Sequence, residues 1–199
     1  MTRRPFISTQ RAVEIYREMV WWRRELCEDT EFFNVPDTWE TLCEDIETWK
    51  MNAYQAEGQK PKAAMVVFGD HATLTVDERL VEKARKGCGL SNSILAHEIS
   101  HLALDHHAQS ATTKHFQLSK GPKGFAVKPP NSEELEADLG AVFFQCGVAL
   151  EDKSLSALEL ARRGSADVAL VRNAQRYVQL HVFQEELSRQ RNRYERVVM

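Results

Sequence analysis

The sequence predicts an α+β protein, mainly helical, with a small β-sheet placed before its most histidine-rich helix. Three observations carry this expectation. Apolar residues recur every three or four positions over most of the chain, as on helices with one buried face. The stretch "KPKAAMVVFGDHATLTVDERL" departs from that rhythm, with two short apolar runs on either side of Gly69-Asp70, as in a hairpin. The 199 residues are 43% hydrophobic, enough to bury one core with appended helices.

Taken in order, residues 9–29 place Val13, Tyr16, Val20 and Trp21 at helical spacing, and Pro36 to about Gln55 repeats the pattern with Trp39, Leu42, Ile46 and Trp49. Together they read as an amphipathic helical hairpin over 1–60, with Trp21, Trp22, Trp39 and Trp49 in the core. Met65 to Phe68 and Leu74 to Val76 form the hairpin strands that open a core segment over 61–152. A helix over about 92–107 follows. Residues 108–130 are too rich in Gly, Pro, Ser and Lys for a regular element and too long for an ordinary connection. The next helix begins with Asn131 or Ser132 as its cap, has acidic residues in its first turn, where the helix dipole favours them, and stays apolar to Leu150. A helical extension over 153–199 ends in one long charged helix from Ser165 to about Val197, interrupted near its start, with Val168, Val171, Tyr177, Leu180 and Phe183 on its apolar side. Its length leaves a homodimer role open beside the plainer one of a solvated face.

Composition excludes several classes. A net charge of −3 and a pI near 6.2 argue against nucleic-acid binding, which needs clustered Lys and Arg to neutralise phosphates. The N-terminus lacks an apolar signal region, and no stretch approaches 18 apolar residues, so neither export nor membrane insertion is expected and the setting is cytoplasmic. Cys27, Cys43, Cys88 and Cys146 are scattered, without a C-x-x-C pair, and read as reduced thiols.

The chemistry concentrates in "SNSILAHEISHLALDHH", residues 91–107, where His97, Glu98 and His101 form H-E-x-x-H. Residues four apart on a helix differ by about 40° in direction, so His97 and His101 can offer two imidazole nitrogens to one metal ion. Glu98 lies about 100° round, where a base can reach a water beside the metal without displacing it. The five letters alone arise by chance in roughly one such chain in fifty. The surroundings add weight, because Ile94, Leu95, Ile99, Leu102 and Leu104 bury the helix nearly all round, and polar groups in such a helix need partners. A third ligand is available downstream. Glu134 and Asp138 are four apart with Ala141 on the same face, which offers a carboxylate ligand, a second carboxylate for a ligand histidine's other N–H, and a small residue for close helix packing. Glu133 lies in the fraying first turn, and Glu136 projects near Phe143 on a face better explained by packing. His106 and His107 read as exposed polar residues at a helix end; with His115 they are also candidates for stabilising a developing oxyanion, and Asp105 for a contact to a ligand's outer nitrogen.

With His97, Glu98, His101 and "ELEAD" (134–138), the sequence resembles the gluzincins, zinc peptidases whose H-E-x-x-H is followed by a glutamate in an E-x-x-A-D type motif. Among them it is most similar to the ImmA/IrrE metallopeptidases, through the short sheet, the "AHE" entry at Ala96 and the "HLALDHH" exit. The likeness covers about residues 64–150. "EADLGAVFFQCG" is also similar to the HtpX-like gluzincins, whose membrane-spanning segments have no counterpart here. The resemblance implies a zinc ion on His97, His101 and Glu134, Glu98 as catalytic base, and a cytosolic protein substrate of the helix-turn-helix repressor class. The long loop over 108–130 is then expected to move and to touch substrate. An interaction or sensor protein with a structural metal is the competing expectation.

Overall fold

The computed structural model describes residues 7–26, 32–55, 60–106, 120–121, 124–125 and 132–195. Helix α1 (Thr9–Leu26) is followed by α2 (Val35–Asp45), strands β1 (Trp49–Tyr54), β2 (Ala63–Phe68) and β3 (His71–Asp77), and helices α3 (Glu78–Arg85) and α4 (Gly89–Ala103). A two-residue ladder, β4 (Lys120–Gly121) with β5 (Gly124–Phe125), precedes α5 (Ser132–Cys146). A 3-10 turn (Gly147–Glu151) leads into α6 (Ala157–Arg163), α7 (Val168–Val178) and α8 (His181–Glu195). This is the mainly helical α+β class expected.

The sheet has the order β1-β3-β2, with β2 antiparallel and β1 parallel to β3. The hairpin is where the sequence places it, whereas β1 overturns the expectation of a helix running to about Gln55. Asn34 starts α2, its side chain accepting from the Asp37 amide with Pro36 in the first turn, and Ile46 ends it in an extended conformation. Trp49 and Met51 then turn inward on a strand, paired with Ala72 and Leu74. Trp39, Leu42, Ile46 and Trp49 do fit a helical stripe, but a parallel partner more than twenty residues away decides the conformation, and local spacing carries no trace of it. The proposed helical pair is likewise replaced: α2 packs on β1, α3 and α4, while α1 packs mainly on α5 and α8.

Three tryptophans join these layers. Trp22 of α1 stacks on Trp49 of β1 at 5.6 Å between ring centres, and Trp49 stacks on Trp39 of α2 at 5.3 Å. Trp39 is wholly buried and its indole N–H donates to the Lys50 carbonyl. Trp21, expected beside them, is 55% exposed and meets Trp22 edge-on.

Helices α4 and α5 cross at the centre of the molecule, with α1 against α5 and the inner face of the sheet, Met65, Ala72, Leu74 and Val76, against the α3–α4 side. The crossing is tightest at Gly140, where a Cβ would stand 3.1 Å from both Cβ and Oγ of Ser100. Ala141, the residue expected to allow this approach, is buried one position further on.

The first turns of α4, "LSNS", are unexpectedly polar for a buried helix, and Asn92 and Ser93 each have a structural task. Asn92 is fully buried: its Oδ1 accepts from the Val35 amide at 2.8 Å and its Nδ2 donates to the Ala84 carbonyl at 2.8 Å, tying α2 and α3 to α4. Ser93 donates to Gln145 of α5 and accepts from the Asp167 amide at the start of α7. Asn92→Ala strands the buried amide of Val35 and removes one donor from the Ala84 carbonyl, which keeps the Gly87 amide. It is therefore expected to lower stability by about 1–3 kcal/mol, measured by urea unfolding. A loss well below 1 kcal/mol would show that the strut is dispensable.

The C-terminal region divides differently from the single helix expected. α7 ends at Val178, and after a turn at 179–180 α8 sets Phe183 edge-on to Tyr16 of α1 at 5.7 Å. Phe183 and Leu187 are buried there, while Leu180 and Val182 stay exposed. The preceding α6 lies within the helical extension expected from residue 153, and "SALE" carries its signature: Ser156 caps the helix by accepting from the Glu159 amide. Among the described residues, no helix is long and apolar enough to cross a membrane.

Candidate metal centre

Helix α4 runs from Gly89 to Ala103, and no residue from 91 to 104 is exposed, as the sequence requires of a helix buried on nearly every side. His97 and His101 leave it on the face turned toward α5. Their Nε2 atoms stand 3.1 Å apart. From α5, Glu134 brings its carboxylate to 3.3 Å from His97 Nε2 and 3.8 Å from His101 Nε2. The three groups can together hold a metal ion. Ligands about 2.0–2.1 Å from a tetrahedral zinc are separated from one another by about 3.3 Å, so the three distances need only small adjustments to fit.

The outer nitrogens of both imidazoles are also engaged. His97 Nδ1 lies 2.9 Å from Asp138 Oδ1, one turn below Glu134 on α5. This is the contact the Glu134-Asp138 spacing predicts. His101 Nδ1 lies 2.8 Å from His106 Nδ1, and His106 Nε2 lies 3.3 Å from Glu136 Oε2. Glu136 in turn accepts from Arg11 of α1, at 3.0 Å from Nε and 2.6 Å from Nη2. With an Nδ1 partner on each imidazole, the Nε2 atoms are the ones turned to the shared point, and a bound metal would take the place of the His97 Nε2 proton there.

Two expectations are corrected here. His106 is not an exposed helix-end residue: its side chain is only 7% exposed. Glu136 does not merely share a packing face with Phe143, because it forms the ion pair that joins His106 to Arg11. The signal lies in the chain after α4, where Asp105 adopts φ +54°, the Asp105 amide donates to the Leu102 carbonyl and the His106 amide to that of His101. This is the Schellman pattern, which brings the second residue past the helix back over its last turn. Asp105 itself is exposed. His107, His115 and almost all of the loop over 108–130 lie outside the described residues, as do the choice of Asn131 as cap and Cys27.

Glu98 is not one of the three converging groups, and its Oε2 accepts from the Met65 amide of β2 at 3.0 Å. Burial raises its pKa above the ordinary carboxylate value, and the charge of His97 and the Met65 amide offset part of that rise. For His97, burial is the largest influence and alone would lower the pKa. Hydrogen bonds to Asp138 and Glu134, with the negative charge of Glu98 and Asp138, outweigh it and hold the imidazole at about 10. In the metal-free chain this position therefore attracts positive charge strongly.

A pH dependence follows, with its sign fixed by the direction of the shift. A histidine raised from about 6.5 in the unfolded chain stabilises the fold fully below pH ~6.5, and that stabilisation is lost as pH rises toward the folded value. Chelator-treated protein is expected to show a falling urea midpoint between pH 6.5 and about 10. His97→Gln should flatten that slope, and an equal slope in the variant would assign the effect to other groups.

Comparison with known protein families finds no family that matches the chain, and no curated protein matches it either.

Proposed function

We propose that the protein is a zinc-dependent endopeptidase of the gluzincin kind, similar to the ImmA/IrrE metallopeptidases, acting on a cytoplasmic protein. The observation that carries this reading is the convergence of His97, His101 and Glu134 with Glu98 beside them yet outside the ligand set. A metal serving only structure has no need of that buried carboxylate.

Two imidazoles and one carboxylate suit zinc better than magnesium or calcium, which favour all-oxygen sites. When bound, zinc supplies a Lewis acid that polarises a carbonyl and lowers the pKa of water to about 7. Glu98 takes a proton from the attacking water and passes it to the departing amine, and a carboxylate with a raised pKa is well matched to both steps. Asp138 keeps His97 in the tautomer whose Nε2 carries a lone pair.

β2 is an edge strand, and the Met65 amide, directed at Glu98, belongs to its unpaired side. In an antiparallel ladder, alternate residues turn both backbone groups outward, so Ala63, Met65 and Val67 present this edge beside α4. An extended polypeptide laid along it would bring a peptide bond to Glu98 by backbone pairing. That supports a protein substrate over a small metabolite. The choice of a helix-turn-helix repressor rests on the resemblance alone.

The test is to incubate zinc-loaded protein with transcriptional repressors encoded near its gene and to read intact masses. One defined cut, abolished by chelation, is the expected result. Tight zinc binding without cleavage of any of these repressors would favour the sensor or interaction role.

A further inference from the structure

We propose that His106 is a positioning residue for the metal ligand His101, and that Glu136 and Arg11 lock it in place, so that helix α1 is tied to the metal centre. This rests on the reading of His97, His101 and Glu134 as metal ligands. It goes beyond that reading by assigning a function to three residues outside the ligand set.

The proton pattern along the chain is determined at each link. His101 can direct a lone pair from Nε2 only if its proton sits on Nδ1, and Nδ1 is 2.8 Å from His106 Nδ1. His106 must therefore accept at Nδ1 and carry its own proton on Nε2. That nitrogen faces Glu136 Oε2 at 3.3 Å, an acceptor held ionised by the Arg11 guanidinium at 2.6 Å. Every donor in the series meets an acceptor. The opposite tautomer of His106 would set two N–H groups against each other at His101 and leave a bare ring nitrogen facing a carboxylate.

The geometry is built in by the fold. The left-handed turn at Asp105 brings His106 back over His101, a contact that two apolar residues usually make in this motif. His97 is held by a carboxylate directly, whereas His101 is held by a carboxylate through an intervening imidazole. The two ligands are thus oriented from different elements, His97 by α5 and His101 by the end of α4 together with α5 and α1.

The experiment measures metal binding, not turnover. Zinc affinity is determined by competition with a chromophoric chelator, and cobalt-substituted protein gives a visible absorption band that reports ligand geometry. His106→Ala removes the acceptor and is expected to weaken zinc binding by about 10- to 100-fold and to shift the cobalt band. His106→Asn places an amide oxygen near the former Nδ1, and should restore most of the affinity. Glu136→Gln keeps an acceptor but removes its charge, and is expected to cost only a few-fold. Rescue by Asn separates positioning from packing, since both variants lose the same ring.

Wild-type affinity and an unchanged cobalt band in His106→Ala overturn the inference, as does an equal loss in the Ala and Asn variants. Should His106→Ala fail to fold, near-wild-type affinity in His106→Asn together with a clear loss in His106→Phe, which fills the ring's space without an acceptor, supports the acceptor role, and equal affinity in those two variants, or a loss in His106→Asn as large as that of a ligand variant, overturns it. If the wild-type chain binds no metal, the ligand reading fails and this inference with it. Wild-type binding with an indifferent His106 removes this inference alone.

Discussion

Glu98→Gln is expected to lower peptide cleavage by about 10²- to 10⁴-fold while leaving zinc binding within about two-fold of wild type. The two effects separate because Glu98 is not among the groups that converge on the metal position. Its carboxylate is turned to the Met65 amide of β2, and the amide of a glutamine can accept the same hydrogen bond. What glutamine cannot do is take a proton. Loss of turnover with intact metal content, measured by intact mass for the substrate and by chelator competition for the metal, assigns the side chain to proton transfer. Unchanged turnover would remove Glu98 from that role, and loss of metal as well would mean that Glu98 belongs to the ligand set.

Much of this site was legible in the sequence, for a physical reason. His97, Glu98, His101, Glu134 and Asp138 all lie on two helices, and a helix converts spacing into direction by a fixed rotation per residue. Spacing of four therefore put His97 with His101 and Glu134 with Asp138, and the structure brings the two pairs together. His106 was misjudged because it lies just past α4, where direction is set by the left-handed turn at Asp105 and not by helical rotation. Glu136 was misjudged because its partner Arg11 is 125 residues away, on a helix whose position no local pattern reveals.

The fold divides along the same line. Helices with one buried stripe were readable, and so was the tight hairpin at Gly69-Asp70. Strand β1 was not, since a parallel neighbour is reached only through a long connection. The polar turns of α4 show the limit of reading burial from residue type: Asn92 and Ser93 are buried because backbone groups of three other elements need partners there.

Glu134→Ala is expected to reduce zinc affinity by about 10²- to 10³-fold, more than Asp138→Ala, for which about 10- to 100-fold is expected. Structural zinc sites bind with about 10–16 kcal/mol over four ligands, so losing one ligand removes about 3–4 kcal/mol, and this one also removes the only negative charge in the set. Asp138 acts one step further out. Its loss leaves the His97 lone pair in existence but lets the ring choose its tautomer and rotate. The order Glu134 before Asp138 thus distinguishes a ligand from a group that steadies one. Glu133→Ala provides the control, because Glu133 occupies the same acidic first turn of α5 yet does not belong to the converging group. If Glu133→Ala loses zinc and Glu134→Ala keeps it, the third ligand has been assigned to the wrong carboxylate. A zinc centre on this pair of helices would survive that result, but Asp138 would no longer lie one turn from the ligand, and its hold on His97 would need a different explanation.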